Sequence, residues 1–144
     1  MSRVRMMMMS YFFLITILMV FISQTQTAFA IAIHPRYTVH ITNDFNNNDN
    51  PLVMHCWSRD DNLGVHTLWK TNEWHWGFRN KIFGRTHFWC NMKHGTKEKT
   101  IDVYDSDNWA MTCPDKHHCY WSVKDDGFYF FQEFRKSFLK YYDW

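Results

Sequence analysis

Two stretches of this 144-residue chain combine residue types and spacing that could do chemistry. The first, HCWSRDDNLG at 55–64, sets His55 beside Cys56 and two adjacent acids, Asp60 and Asp61, ahead of Gly64. The second, CPDKHHC at 113–119, encloses His117 and His118 between two cysteines. Acids in pairs suggest general acid–base work, and histidine with cysteine suggests metal ligation. Ser58, Ser106, Ser122 and Ser137 are candidate hydroxyl nucleophiles.

Each possibility meets a physical objection. A glycosidase pair needs carboxyls facing each other across a cleft, roughly 5–9 Å apart. Adjacent acids in a turn point apart, and Asp and Asn favour turns by bonding nearby backbone amides. Asp60 and Asp61, followed by Asn62 and Gly64, therefore read as turn residues or local ion-pair partners. Structural zinc sites space their cysteines more closely and add a second ligand knuckle. Cysteines of a secreted chain are normally oxidised, so no metal is expected at 113–119. His55 and His66 fit strand or turn positions on a polar face. None of the serines lies in a G-x-S-x-G motif. No phosphate-binding or dinucleotide fingerprint occurs, so no cofactor is expected. There is no N-x-S/T acceptor either.

The elements that must position these residues read as strands. Apolar residues alternate in YTVHI (37–41), LVMHCW (52–57), WHWGF (74–78), HFWCNM (87–92), IDVY (101–104) and CYWSV (119–123). Period two with β-branched and aromatic enrichment is a strand signal. Breakers separate the runs: NDFNNNDNP (43–51), RDDNLG (59–64), NKIFG (80–84), DSDNWAMTCPDKHH (105–118) and KDDG (124–127). Short strands with turns between them imply an antiparallel sandwich or barrel. FQEFRKSFL at 131–139 suits helix and strand equally. Trp74, Trp76 and Trp121 fall in the alternating runs and read as core, whereas Trp109 lies in the polar loop.

The N-terminus is of another kind. Arg3 and Arg5 precede a run that is apolar from Met6 to Ile22 except for Ser10 and Thr16; SQTQT and AFA (28–30) follow. That is the layout of a secretory signal peptide. Cleavage is expected after Ala30, with Ala32 as the alternative, leaving residues 31–144 as one domain and no membrane insertion of the mature chain. The precursor carries 16 Lys+Arg against 14 Asp+Glu; losing Arg3 and Arg5 leaves 14 against 14. The basic balance thus belongs to the leader. The nearest basic cluster, KHGTKEK at 93–99, is interrupted by Glu98 and reads as a solvated hairpin end, so no nucleic-acid partner is expected.

Cys56, Cys90, Cys113 and Cys119 all follow the leader. An even count in a short secreted chain reads as a disulfide framework. Four cysteines allow three pairings. Cys56 shares a strand face with Leu52 and Met54, and Cys90 shares one with Phe88 and Met92. Two inward cysteines on separate strands suit a buried bridge. Cys113 and Cys119 flank five residues and suit a loop-end bridge. The favoured set is 56–90 with 113–119.

As a set, VHITN, LVMHCWSRDDNLGVHTL, WHWGFRNKIFGRTHFWCNM, IDVYD, CYWSVKDDGFYFF and the closing YYDW resemble the plant self-incompatibility protein family, the S-protein homologues. The resemblance spans nearly all of residues 37–144, and its most specific block is H-C-x-S-x-D-D-x-L-G-x-H, His55 to His66. It implies a small secreted β-sandwich with two disulfides and no catalytic activity. The resulting expectation is an all-β, small antiparallel β-sandwich of about seven to eight strands. The family's founding members act as secreted ligands that inhibit self pollen through a pollen receptor. The analogous expectation here is a secreted ligand for a cell-surface receptor, in pollen rejection or a related developmental role. The alternative is a secreted defence-type protein with hydrolytic or toxic activity. The oligomeric state is open.

Long irregular loops in compact domains are usually functional or disordered. The expected partner-binding loop is therefore 105–118, with Asp105, Asp107, Asn108, Asp115, Lys116, His117 and His118 around Trp109. An aromatic in a polar surround is the composition of an interface hot spot. The competing expectation is that Trp109 folds back onto the core.

Overall fold

Apolar–polar alternation places one face of each strand inward, and the computed structural model, which describes residues 2–33, 35–111, 113 and 117–144, shows where those faces meet. Two compact units are present, 1–35 and 36–144. In the first, Ser2–Ile33 form a helix, α1, which runs unbroken through the expected cleavage site. Its stretch Met7–Gln24, with mean hydropathy 1.9, is long and apolar enough to cross a membrane, a property signal sequences share.

Among the described residues, the second unit contains nine strands. In chain order they are β1 (Arg36–Asn43), β2 (Leu52–Ser58), β3 (Asn62–Leu68), β4 (Glu73–Arg79), β5 (His87–His94), β6 (Lys97–Asp105), β7 (His118–Lys124), β8 (Gly127–Gln132) and β9 (Ser137–Tyr142). One sheet has the order β4-β1-β7-β8-β9 and the other β3-β2-β5-β6. Pairing is antiparallel except between β1 and β7, which run parallel. That pair departs from the all-antiparallel expectation. Alternation fixes which face a strand buries and carries no information on its direction.

The inward faces make one core. Val39, Ile41, Trp121, Val123, Phe128 and Phe130 come from the five-stranded sheet. Leu52, Met54, Phe88, Met92 and Val103 come from the four-stranded one. Each large apolar side chain buried this way contributes about 1.5–3 kcal/mol. The Trp121 indole N–H meets its buried hydrogen-bonding need by donating to the Val103 carbonyl, at 2.9 Å, across the two sheets. Trp76 and Trp74 pack against this core from β4, as the alternation predicts.

The cysteines pair 56–90 and 113–119. Cys56 and Cys90 lie directly opposite on the neighbouring strands β2 and β5, with Cα atoms 4.1 Å apart. The bridge therefore staples one sheet and does not join the two. On the chain-entropy estimate the 34-residue separation contributes ~4 kcal/mol and the 6-residue one ~2 kcal/mol.

The segment 131–139, where helix and strand look alike in sequence, contains both. β8 ends at Gln132, one 3-10 turn covers Glu133–Arg135, and Lys136 takes a left-handed φ of 49° before β9 begins. The stretch 62–68, partly read as a turn, is β3, an edge strand whose Val65 remains exposed.

Candidate partner-binding surface

The loop after β6 begins with an anchor. Asp105 is buried, and its carboxylate accepts bonds from Arg85 Nε, at 2.7 Å, and from the Arg85 terminal nitrogen. The bonded guanidinium holds the Asp105 carboxyl below its usual range, against the opposing effect of burial. The same carboxylate accepts the Asp107 backbone N–H at 3.1 Å. Asp105 thus positions the loop and offers no free face to a partner. Asn108 Oδ1 accepts the Ala110 N–H, starting the short 3-10 turn Trp109–Met111. Met111 plugs into the core while Trp109, two residues earlier, is 87% exposed.

The far end of the loop is fixed as well. Cys113 and Cys119 are buried in their disulfide. The His117 ring meets Tyr37 edge-on, 4.7 Å between centroids, and the His117 carbonyl accepts the Thr38 N–H. His118 belongs to β7 and sits 2.8 Å, Nδ1 to Nε2, from His40. Of the sequence-predicted set, Asp107, Asn108 and Trp109 gather at the turn, whereas Asp105, His117 and His118 serve as its fixings. Asp115 and Lys116 lie outside the described residues. Trp109 is not folded onto the core, so the competing expectation for it fails.

The opening stretch 55–64 is a built turn. Ser58 Oγ accepts the backbone N–H groups of Asp60 and Asp61 at 3.2 and 3.0 Å. Asn62 Oδ1 accepts the Gly64 N–H at 2.9 Å and lies 2.7 Å from His55 Nε2. Asp60 pairs with Lys81, which holds its carboxyl below the usual range. A cleft of about 510 Å³ lies beside this turn, lined by Arg59, Arg79, Lys81, Phe83 and Trp89 among others.

The cysteines of 113–119 are committed to a disulfide and offer no thiolate to a metal. The histidine chemistry lies elsewhere, on the outward face of β1 and β4. His40 Nδ1 is 2.7 Å from Glu73 Oε1, and His75 Nδ1 is 3.4 Å from the same oxygen. Sequence reasoning missed this group. The available signal was histidine at an outward position in YTVHI and the i, i+2 pair in EWH. What brings them together is the β1–β4 register, which pairs His40 with His75.

Comparison with known proteins agrees with the fold. The sequence model for plant self-incompatibility protein S1 matches residues 38–144. The chain belongs to the plant self-incompatibility S1 family. S-protein homolog 3 of Arabidopsis thaliana is 32% identical over 126 residues, 85% of this chain and 81% of that protein. S-protein homolog 5 is 34% identical over 77 residues, 54% of this chain; the match spans 58% of that relative. A solved structure of an S-protein homologue, described as one of a widespread family of small, highly stable, secreted plant proteins, superposes with a TM-score of 0.52. It covers 77% of this chain and 91% of its own at 18% identity, a likeness of fold. Within the S1 family's β-sandwich, this member's apolar N-terminal helix and two disulfides are those of a secreted chain.

Proposed function

We propose that this S-protein homologue is a non-enzymatic extracellular ligand that engages a cell-surface receptor through its 105–118 loop, in cell–cell signalling. The observation that carries the reading is Trp109, a large aromatic 87% exposed between two anchored loop ends. A loop already held by Asp105–Arg85 and by the Cys113–Cys119 bridge loses little freedom on binding. An indole on such a platform is the kind of anchor that dominates interface energetics.

Trp109→Ala tests this. Hot-spot truncations cost about 2 kcal/mol or more, roughly thirtyfold in affinity. The labelled variant is expected to lose cell-surface binding by that factor while its melting temperature stays within about 1 °C, as for exposed positions generally. A variant that melts several degrees earlier and binds normally when folded would overturn the assignment.

A further inference from the structure

We propose that His40, Glu73 and His75 form a surface site for a divalent transition-metal ion of the zinc class. Its three ligands lie outside the loop assigned to receptor binding, which it meets only through His118 at the loop's end, and the site does not depend on that assignment.

Sheet geometry creates it. Val39 and Ile41 are fully buried, so His40 between them faces outward. Glu73 and His75 are two apart on β4 and share that outward face. The antiparallel register sets His75 directly opposite His40 and Glu73 opposite Thr42. One ligand atom from each of the three residues then falls within 4.8 Å of the others.

The spacing suits a tetrahedral ion. With metal–ligand distances near 2.0–2.1 Å, a tetrahedron has edges of about 3.3–3.4 Å. The His75 Nδ1 to Glu73 Oε1 separation is 3.4 Å. The His40 Nδ1 to Glu73 Oε1 pair is at hydrogen-bonding distance, 2.7 Å. It needs to open by about 0.7 Å to take an ion between the two atoms. Glu73 and His75 are exposed enough to move, with side chains 40% and 60% accessible, whereas His40 is held at 13%.

The surroundings of His40 favour ligation through Nδ1. Its Nε2 lies 2.8 Å from His118 Nδ1. When His40 Nδ1 gives its lone pair to a metal, Nε2 carries the proton and donates it to His118. Metal-binding imidazoles generally have such a partner for the second nitrogen, which fixes tautomer and ring orientation. Tyr120, directly opposite His40 on β7, stacks on the ring at 4.7 Å between centroids. His118 and Tyr120 are positioning residues, and the fourth coordination position faces solvent. Two imidazoles with one carboxylate select zinc or its neighbours over magnesium and calcium, which prefer all-oxygen shells.

The test uses protein secreted from cells expressing the full chain, stripped with chelator and titrated with zinc sulfate by calorimetry. The expected result is one saturable ion per chain, not displaced by millimolar Mg²⁺, with the His40 and His75 ring resonances shifting in NMR spectra. Outer partners alone are worth about 10–100-fold in metal affinity. His118→Phe should therefore weaken binding by about tenfold. His75→Ala and Glu73→Gln should each weaken it by more, with metal-free melting temperatures unchanged because both side chains are at the surface. His55→Gln should leave it unaltered. Absence of saturable binding, binding that survives both ligand variants, or equal competition by Mg²⁺ would overturn the proposal.

Discussion

Asp105 is a buried loop carboxylate held between Arg85 and the backbone of its own turn. It takes two bonds from Arg85 and bonds the backbone of the turn it starts. Replacing it with Asn removes the charge while Arg85 stays in place. Hydrogen bonds to charged groups are worth about 1.5–3 kcal/mol, so Asp105→Asn should lower the melting temperature at pH 7 by roughly 5–10 °C. The pH dependence has a definite sign. The Arg85 bond holds the folded carboxyl below its ordinary value, which lies near 3.9 in an unfolded chain. Through that window the unfolded state binds more protons, so stability rises with pH. The contribution is complete above pH ~5 and is lost as pH falls through the lowered folded value. Melting curves of wild type and Asp105→Asn should converge on acidification toward pH 2; a gap that stays constant would show that packing, not charge, is what the substitution removes. Sequence supplied the loop and placed Trp109 in it, while the exposure of the indole came from the fold. It did not supply this role for Asp105, because Arg85 is twenty residues away and only the fold brings it near.

At the scale of elements, the β8–β9 pair leaves no room for a side chain at one position. Gly127 opens β8 with φ +153°, a conformation L side chains rarely adopt. A Cβ there would run into the Tyr142 carbonyl oxygen and reach 3.3 Å from Asp143 Cα. Those obstacles are backbone, which cannot swing aside as the Arg36 side chain can beside Gly77. Gly127→Ala should therefore cost about 2 kcal/mol or more, read as a lower denaturation midpoint. Gly77→Ala should cost markedly less. Equal losses would mean the β9 backbone yields. At this scale the sequence is legible where one face is buried. β1, β2, β5 and β7 all show buried alternate positions, and all were readable. It is opaque at β3 and β9, edge strands with mostly exposed or half-buried residues, and at β8, where consecutive aromatics in GFYFFQ hide the alternation. The His40–Glu73–His75 group was hidden for a related reason, since a register offset between β1 and β4 leaves no trace in either strand's own alternation.

At the scale of the molecule, the two units make opposite demands on water. The described helix residues Met7–Gln24 are exposed and strongly apolar, whereas residues 36–144 bury their apolar side chains in one core. Among the described residues, the members of that core run from Val39 to Phe130, all within 36–144. We propose that the leader is cleaved after Ala30, at the end of AFA, which leaves residues 31–35 ahead of β1. Charge provides an independent check, because the cut removes Arg3 and Arg5 and no acid, taking the formal net charge from +2 to zero. Protein recovered from the medium of plant cells expressing the full chain should begin at Ile31 or within a few residues of it. It should also focus at a lower pH than the precursor made in a membrane-free translation system. Full-length chain retained in the membrane fraction would instead make α1 an anchor, and the receptor-binding loop would then act from a tethered protein.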